Sequence, residues 1–182
     1  MGRKFVASVL EKMNKEIPTI LDLGNTKDNQ EQLRLLDLLT PLVETMTSRV
    51  LITSLNSKDK LDLRTNSFVW GYLNNLTFFS AKKISISTEN KKVLLSVSLS
   101  LHSILFNHSV QLTQLEYEAV NKSIKKIKTL KDMFIEGAHS CKAEFEKIGE
   151  DVPIRNSLLP SLNIYLHEKL KELEPYKKAK EK

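Results

Sequence analysis

The sequence predicts an all-α fold, organised as a single-domain bundle of about six or seven helices. Only five glycines and five prolines occur in 182 residues, which is few for the closely spaced turns of an all-β sandwich or barrel. Apolar residues recur at intervals of three and four through much of the chain, the spacing that places them on one helix face. A hydrophobic content of 41% with 27% charged residues indicates a folded rather than a disordered chain.

The cysteine content and the N-terminal residues predict a cytoplasmic protein. A single cysteine, Cys141, cannot form an internal disulfide. Charged residues such as Glu11 and Lys12 interrupt the N-terminal stretch where a signal peptide would need an unbroken apolar core. Both features are typical of a reducing compartment.

The first half of the chain contains four predicted helices. Pro18 ends the first of them, and Thr40 followed by Pro41 begins a new helix or a kink. The polar stretch 55–67 is predicted to be a loop. The predicted helices cover about 3–17, 29–40, 41–55 and 67–81.

The segment LLSVSLSLHSILF, residues 94–106, fits either a strand or a helix at first sight. On a helix over 93–107, four of the polar residues fall on one stripe about 60° wide, whereas a strand would send the adjacent His102 and Ser103 to opposite faces. A hairpin through 88–92 is the rival interpretation. The run is too short and too rich in serine for a transmembrane helix. We therefore predict a buried central helix over about 90–107, whose serine stripe allows a close neighbouring helix or faces water. The stripe comprises Ser96, Ser100, Ser103 and Asn107.

A single long helix is predicted over about 114–148. Thr113 and Glu116 have the spacing of a capping box at its start, and Gly149 and Pro153 follow its end. Its apolar seam could pack within the chain or against a second copy, and its aromatic and small residues favour the first. A further helix follows over about 161–174. The predicted domain is thus 1–174, with a lysine-rich C-terminal tail at 175–182. The seam comprises Tyr117, Val120, Ile124, Ile127, Lys131, Phe134, Ala138, Cys141, Phe145 and Ile148, with Lys131 as its one polar member, which Leu130 can cover.

No catalytic, cofactor-binding or metal-binding residues are predicted. His102 and His108 lie six residues apart, off a common helix face, and His139 and Cys141 point in different directions. Phosphate-binding glycine loops and nucleophile-elbow motifs are absent from the sequence. We expect a protein that is not an enzyme and needs no cofactor.

An aromatic cluster in FVWGYLNNLTFF, residues 68–79, is the predicted partner-binding feature. Most of it is expected to be core. Because apolar residues occur on nearly every side of this helix, part of the cluster could be exposed as a docking patch. The predicted partner-binding residues are Phe68, Trp70, Tyr72 and Phe79.

Lysines provide a second candidate surface. The net charge is +6, and lysine-rich amphipathic segments can bind anionic membranes or nucleic acid, although a solvated helix face is the more common meaning. Nucleic-acid binding is the weaker of the two, since arginine is scarce and aromatic residues do not alternate with the lysines. The candidate residues are Lys82, Lys83, Lys91, Lys92, Lys122, Lys125, Lys126 and Lys128.

Two resemblances to known families rest on short motifs. Trp70–Gly71 before an apolar helix resembles the tryptophan–glycine signature of Bcl-2-like proteins, with Tyr72 where that motif has arginine. VLEKMNK and ILFNHSVQLTQLEYEAVNKSIKK are similar to the helical phosphoinositide-transfer family induced by tumour necrosis factor. Neither match carries site residues across, and we assign no family from them.

The predicted function is that of a non-catalytic helical interaction or adaptor protein, which binds a protein partner through a helix face or groove. The first alternative is a peripheral membrane or lipid-binding bundle that uses the lysines. Nucleic-acid binding is the second alternative. The sequence leaves the oligomeric state open.

Overall fold

The computed structural model describes residues 26–148 and 160–173, and within them it contains eight helices and no strand. The prediction of an all-α bundle is confirmed, with eight helices in the described part of the chain rather than six or seven. The predicted helix 3–17 and the C-terminal tail 175–182 lie outside the described residues. The helices are α1 (Thr26–Glu44), α2 (Thr47–Thr53), α3 (Ser57–Arg64), α4 (Ser67–Lys83), α5 (Lys91–Phe106), α6 (Val110–Ile124), α7 (Lys128–Ile148) and α8 (Pro160–Glu172).

Helices α4 and α5 form the centre of the bundle. Every residue of 67–73 in α4 and of 96–102 in α5 is buried, so both helices are covered on all sides. The predicted buried central helix is confirmed as α5. Its serines are hydrogen-bonded within the helix and to α4. Ser100 Oγ donates to the Ser96 carbonyl at 2.7 Å, and Ser98 Oγ donates to Thr77 Oγ1 of α4 at 3.1 Å. Hydroxyls satisfied in this way can be buried at little cost.

Helices α4 and α7 touch through their backbones at two glycines. A Cβ atom on Gly71 would lie 1.9 Å from the Phe134 carbonyl oxygen, and one on Gly137 would lie 2.1 Å from the Phe68 carbonyl oxygen. Further along both helices, the rings of Phe79 and Phe145 lie 5.4 Å apart. The two helices therefore run in the same direction and remain in contact, and glycine is required where they are closest.

The predicted long helix over 114–148 is instead two helices, α6 and α7, separated by residues 125–127. Ser123 Oγ donates to the Ala119 carbonyl at 2.9 Å, a bond that bends helices. Lysines at 122, 125, 126 and 128 repel one another at helical spacing. The break redirects the chain so that α7 can cross α4 at the glycines. A heptad seam cannot reveal such a break, because its period is the same on either side.

Two further differences concern the first half of the chain. The stretch predicted as a loop, 55–67, contains α3, which begins where Asn56 Oδ1 accepts a hydrogen bond from the Asp59 N–H at 2.9 Å. Helix α1 continues through Pro41 to Glu44. Pro41 is exposed and only one turn from the helix end, so the proline costs the helix little stability.

None of the described helices is both long and apolar enough to cross a membrane on its own; the adjoining α5 and α6, bent by 110° where they meet, pass the same test only as a pair.

Candidate functional site: a buried histidine–glutamate–arginine cluster and an exposed helix face

The end of α5 folds His108 back beside His102. Asn107 adopts a left-handed conformation with φ of 51°, which asparagine tolerates better than most residues. The His108 N–H then donates to the Ser103 carbonyl at 3.2 Å. As a result, the rings of His102 and His108 lie 5.4 Å apart, edge to face.

Glu116 of α6 joins His108 to α3. Its carboxylate accepts a hydrogen bond from Arg64 Nε at 2.8 Å through Oε1, and Oε2 lies 3.2 Å from His108 Nε2. The Glu116 side chain is 5% exposed and that of Arg64 is 13% exposed, so the ion pair is largely shielded from water. Thr113 Oγ1 lies 2.9 Å from the same His108 nitrogen. Removing one partner of a buried pair of this kind costs about 3–5 kcal/mol.

The capping box predicted from Thr113 and Glu116 is wrong, because α6 begins one turn earlier. Ser109 is the N-cap, and its side chain accepts a hydrogen bond from the Leu112 N–H at 3.3 Å. Glu116 is thereby free to face the interior. It is the acidic member of the cluster that sequence reasoning missed.

His102 is held in one orientation by α3 and α4. Its Nε2 lies 2.9 Å from the Arg64 carbonyl oxygen, which also accepts a hydrogen bond from Trp70 Nε1 at 2.9 Å. The imidazole stacks on the Trp70 indole, with centroids 4.0 Å apart and an interplanar angle of 11°. These contacts also satisfy a C-terminal carbonyl of α3 that has no partner within the helix.

Burial keeps the His102 imidazole neutral. Loss of solvation lowers its pKa well below the usual 6.5, and the neighbouring His108 lowers it further. Within the described residues, His102 Nδ1 and His108 Nδ1 are buried with no hydrogen-bond partner. The cluster thus presents two unpaired ring nitrogens beside a carboxylate.

Chemically, this cluster has the donor set of a metal centre. One donor atom each from His102, His108 and Glu116 lie within 4.8 Å of one another. Sequence spacing argued against pairing the two histidines, since six residues do not share a helix face. Asn107, the left-handed residue between them, turns the chain so that the two histidine rings lie side by side.

Cys141 has no sign of an activated thiol. It is fully buried, and burial raises its thiol pKa, with Glu144 adding to the effect. Glu144 is itself occupied: it accepts hydrogen bonds from the Tyr72 hydroxyl and from the Ser161 N–H, the latter at 2.6 Å. This carboxylate ties α7 to α4 and to the start of α8.

The predicted partner-binding aromatics are core residues. Phe68, Trp70 and Tyr72 are buried, with at most 3% of each exposed, and Phe79 is partly buried against Phe145. The folded protein therefore presents none of the first three to a partner. Phe78 is the member of the cluster that reaches the surface.

The predicted anionic-surface lysines fall into two groups at opposite ends of α4. Lys82 and Lys83 end α4, and α5, which runs antiparallel to it, begins with Lys91 and Lys92. The group at 122–128 runs from the last turn of α6 to the first residue of α7, which packs on the N-terminal end of α4. All eight lysines are exposed except Lys83, which is partly buried.

The outer face of α6 carries exposed apolar side chains that run into the second lysine group. The four residues of this face lie within a stripe about 80° wide and are all exposed. Leu115 is 63% exposed and Leu112 is 38% exposed. On α3, which the Arg64–Glu116 pair joins to α6, Leu61 is also exposed. The α6 outer face comprises Leu112, Leu115, Ala119 and Lys122.

Comparison with models of protein families, with curated proteins and with solved structures gave no match for this chain.

Proposed function

We propose that the protein is a non-catalytic helical interaction protein, an adaptor that binds a protein partner through the α6 outer face. The exposure of Leu115, at 63%, is the observation that carries the proposal. Full burial of a leucine side chain is worth about 1.5–3 kcal/mol, and roughly two-thirds of this is available to a partner that covers the exposed part of Leu115.

The composition of the α6 outer face suggests the chemistry of its partner. Leu112 and Leu115 provide an apolar centre, and Lys122 with the following lysines provides a basic edge. An amphipathic helix that places apolar side chains beside carboxylates would complement both parts. We expect affinity to depend mainly on the leucines, and the lysines to affect mainly the rate of association.

A second candidate function, binding to an anionic membrane surface, is favoured by the exposed lysines at 122, 125, 126 and 128. Clusters of this kind gain about 1 kcal/mol per lysine near an anionic leaflet. The two functions differ in which residue matters most: Leu115 for a protein partner and the lysines for a membrane.

The test compares three tagged variants, each expressed in the cells from which the sequence comes. Leu115→Gln removes the centre of the α6 outer face, Lys122→Glu reverses its basic edge, and Ile164→Gln is the control, since Ile164 is 57% exposed on α8. Bound proteins are quantified by mass spectrometry, and the purified candidate is then titrated by calorimetry.

We expect one protein to be lost with Leu115→Gln, kept with Ile164→Gln and reduced less by Lys122→Glu. In calorimetry, Leu115→Gln should weaken its binding by about tenfold or more, as for the loss of 1.5 kcal/mol. If Leu115→Gln leaves every bound protein unchanged, the proposal is wrong. Binding to phosphatidylserine vesicles that is lost with Lys122→Glu and kept with Leu115→Gln would favour the membrane function instead.

A further inference from the structure

We propose that His102, His108 and Glu116 bind a divalent transition-metal ion, with Zn²⁺ as the best match. The site is independent of the α6 outer face. Its three donor atoms lie within 4.8 Å of one another, and small side-chain rotations would bring them to the spacing of about 3.4 Å that a tetrahedral ion with bonds of about 2.0–2.2 Å requires.

The hydrogen bonding of His102 prepares it as a ligand. A backbone carbonyl can only accept, so the contact of 2.9 Å between His102 Nε2 and the Arg64 carbonyl oxygen places the proton on Nε2. Nδ1 then carries a lone pair, and it is buried with no partner among the described residues. Metal-binding histidines commonly donate their other N–H to a backbone carbonyl in this way, which fixes both tautomer and orientation.

His108 and Glu116 supply the remaining ligands. The His108 side chain is 8% exposed, and its Nε2 lies 3.2 Å from Glu116 Oε2, close to the separation of two ligands on one tetrahedral ion. Glu116 gives one carboxylate oxygen to Arg64 at 2.8 Å, and its Oε2 would exchange the contact with His108 Nε2 for the ion. Arg64 orients the carboxylate, as residues behind metal ligands do.

The donor set selects the class of ion. Two imidazole nitrogens and one carboxylate oxygen suit Zn²⁺, Co²⁺ or Ni²⁺, whereas Ca²⁺ and Mg²⁺ require oxygen ligands. The positive charge of Arg64 favours an anion such as hydroxide or chloride as the fourth ligand. Because the ligands come from α5, from the turn after it and from α6, the ion would fasten the α5–α6 corner and stabilise the fold.

The test uses the full chain after treatment with a chelator, titrated with ZnCl₂ and CoCl₂. His108→Gln removes a ligand from a turn, so it disturbs packing less than a change at His102. Glu116→Gln keeps a hydrogen-bond acceptor for Arg64 and gives an independent test. His139→Gln is the control, since His139 is exposed on α7. Native mass spectra give the stoichiometry, calorimetry the affinity and visible absorption the Co²⁺ geometry.

We expect one ion per chain, intense visible bands from tetrahedral Co²⁺, and a melting temperature that rises with Zn²⁺ concentration. His108→Gln and Glu116→Gln should each weaken Zn²⁺ binding by more than about 100-fold, since loss of a ligand exceeds the loss of an outer-shell partner. His139→Gln should match the wild type. The proposal is overturned if wild-type protein shows no tetrahedral Co²⁺ bands, or if both ligand variants bind Zn²⁺ as the wild type does.

Discussion

His102 has the clearest electrostatic consequence of any single residue in the described structure. Its imidazole is fully buried, stacked on Trp70, and burial lowers its pKa well below 6.5. In the unfolded chain the same residue titrates near 6.5. Below that pH the unfolded state binds a proton that the folded state does not, so protonation favours unfolding.

Stability in chelator-containing buffer should therefore fall as the pH is lowered from 6.5 to 5. One such histidine contributes a slope that approaches about 1.4 kcal/mol per pH unit, measured as the free energy of unfolding by urea. His139→Asn, at an exposed position, should retain the slope, and His102→Gln should lose this contribution. A free energy of unfolding that is constant or rises on acidification would contradict the assignment.

At the scale of helices, α4 and α7 approach each other so closely that backbone atoms lie against both glycines. The atoms facing Gly71 and Gly137 are backbone carbonyls, which cannot move aside as a flexible side chain would. Two effects of a substitution to alanine then compete. Alanine favours a helix over glycine by about 1 kcal/mol, while overpacking of a core contact costs about 1–3 kcal/mol or more.

Gly71→Ala and Gly137→Ala should both destabilise the protein, because overlap at 1.9 and 2.1 Å outweighs helix propensity. We expect a loss of at least about 2 kcal/mol in urea unfolding for each. Ala143→Gly, at an exposed position of α7, is the control for helix propensity alone. We expect it to lower the free energy of unfolding by about 1 kcal/mol. An increase in stability on either glycine substitution would show that the helices separate easily.

Sequence reasoning at this scale succeeded where periodicity was decisive. The serine stripe identified α5 as a helix, and the predicted helix over 67–81 is α4, Ser67–Lys83. It failed at α3, whose polar sequence is stabilised by the Asn56 cap and by burial of Leu63. It also failed between α6 and α7, because the heptad seam keeps the same period on either side of the break at residues 125–127. The hydrophobic period identifies a segment as helical, but it does not give the direction in which that helix runs in the fold.

At the scale of the whole molecule, the two lysine groups lie about 34 Å apart along α4 and α7, well beyond the screening length of about 10 Å. Lys128 lies nine residues before Gly137, about 13 Å along α7, and Lys82 lies fourteen residues after Phe68, about 21 Å along α4. The sequence contains these eight lysines, but it does not show how far apart the two groups lie in the fold. The metal-ligand cluster was hidden for a related reason, since only the turn at Asn107 brings its histidines together.

Any binding to phosphatidylserine vesicles at low salt should therefore have two independent components. Reversing Lys122 and Lys126 to Glu, or Lys82 and Lys91 to Glu, should each remove roughly half of the sedimented protein, and reversing all four should remove nearly all of it. If either pair alone abolished sedimentation, the two groups would have to bind cooperatively, against the independence expected from their separation along α4 and α7.

The glycine contact between α4 and α7 also restricts how the protein can move. Helices joined by interlocking side chains can slide as rotamers change, which is the usual basis of shear motion. Backbones in direct contact have no rotamers to exchange, so α4 and α7 should translate and rotate as one rigid body. Conformational change on binding would then fall to helices held by side-chain contacts, such as α8, which is anchored at Glu144. In amide hydrogen exchange, the backbone around Gly71 and Gly137 should be among the last to open.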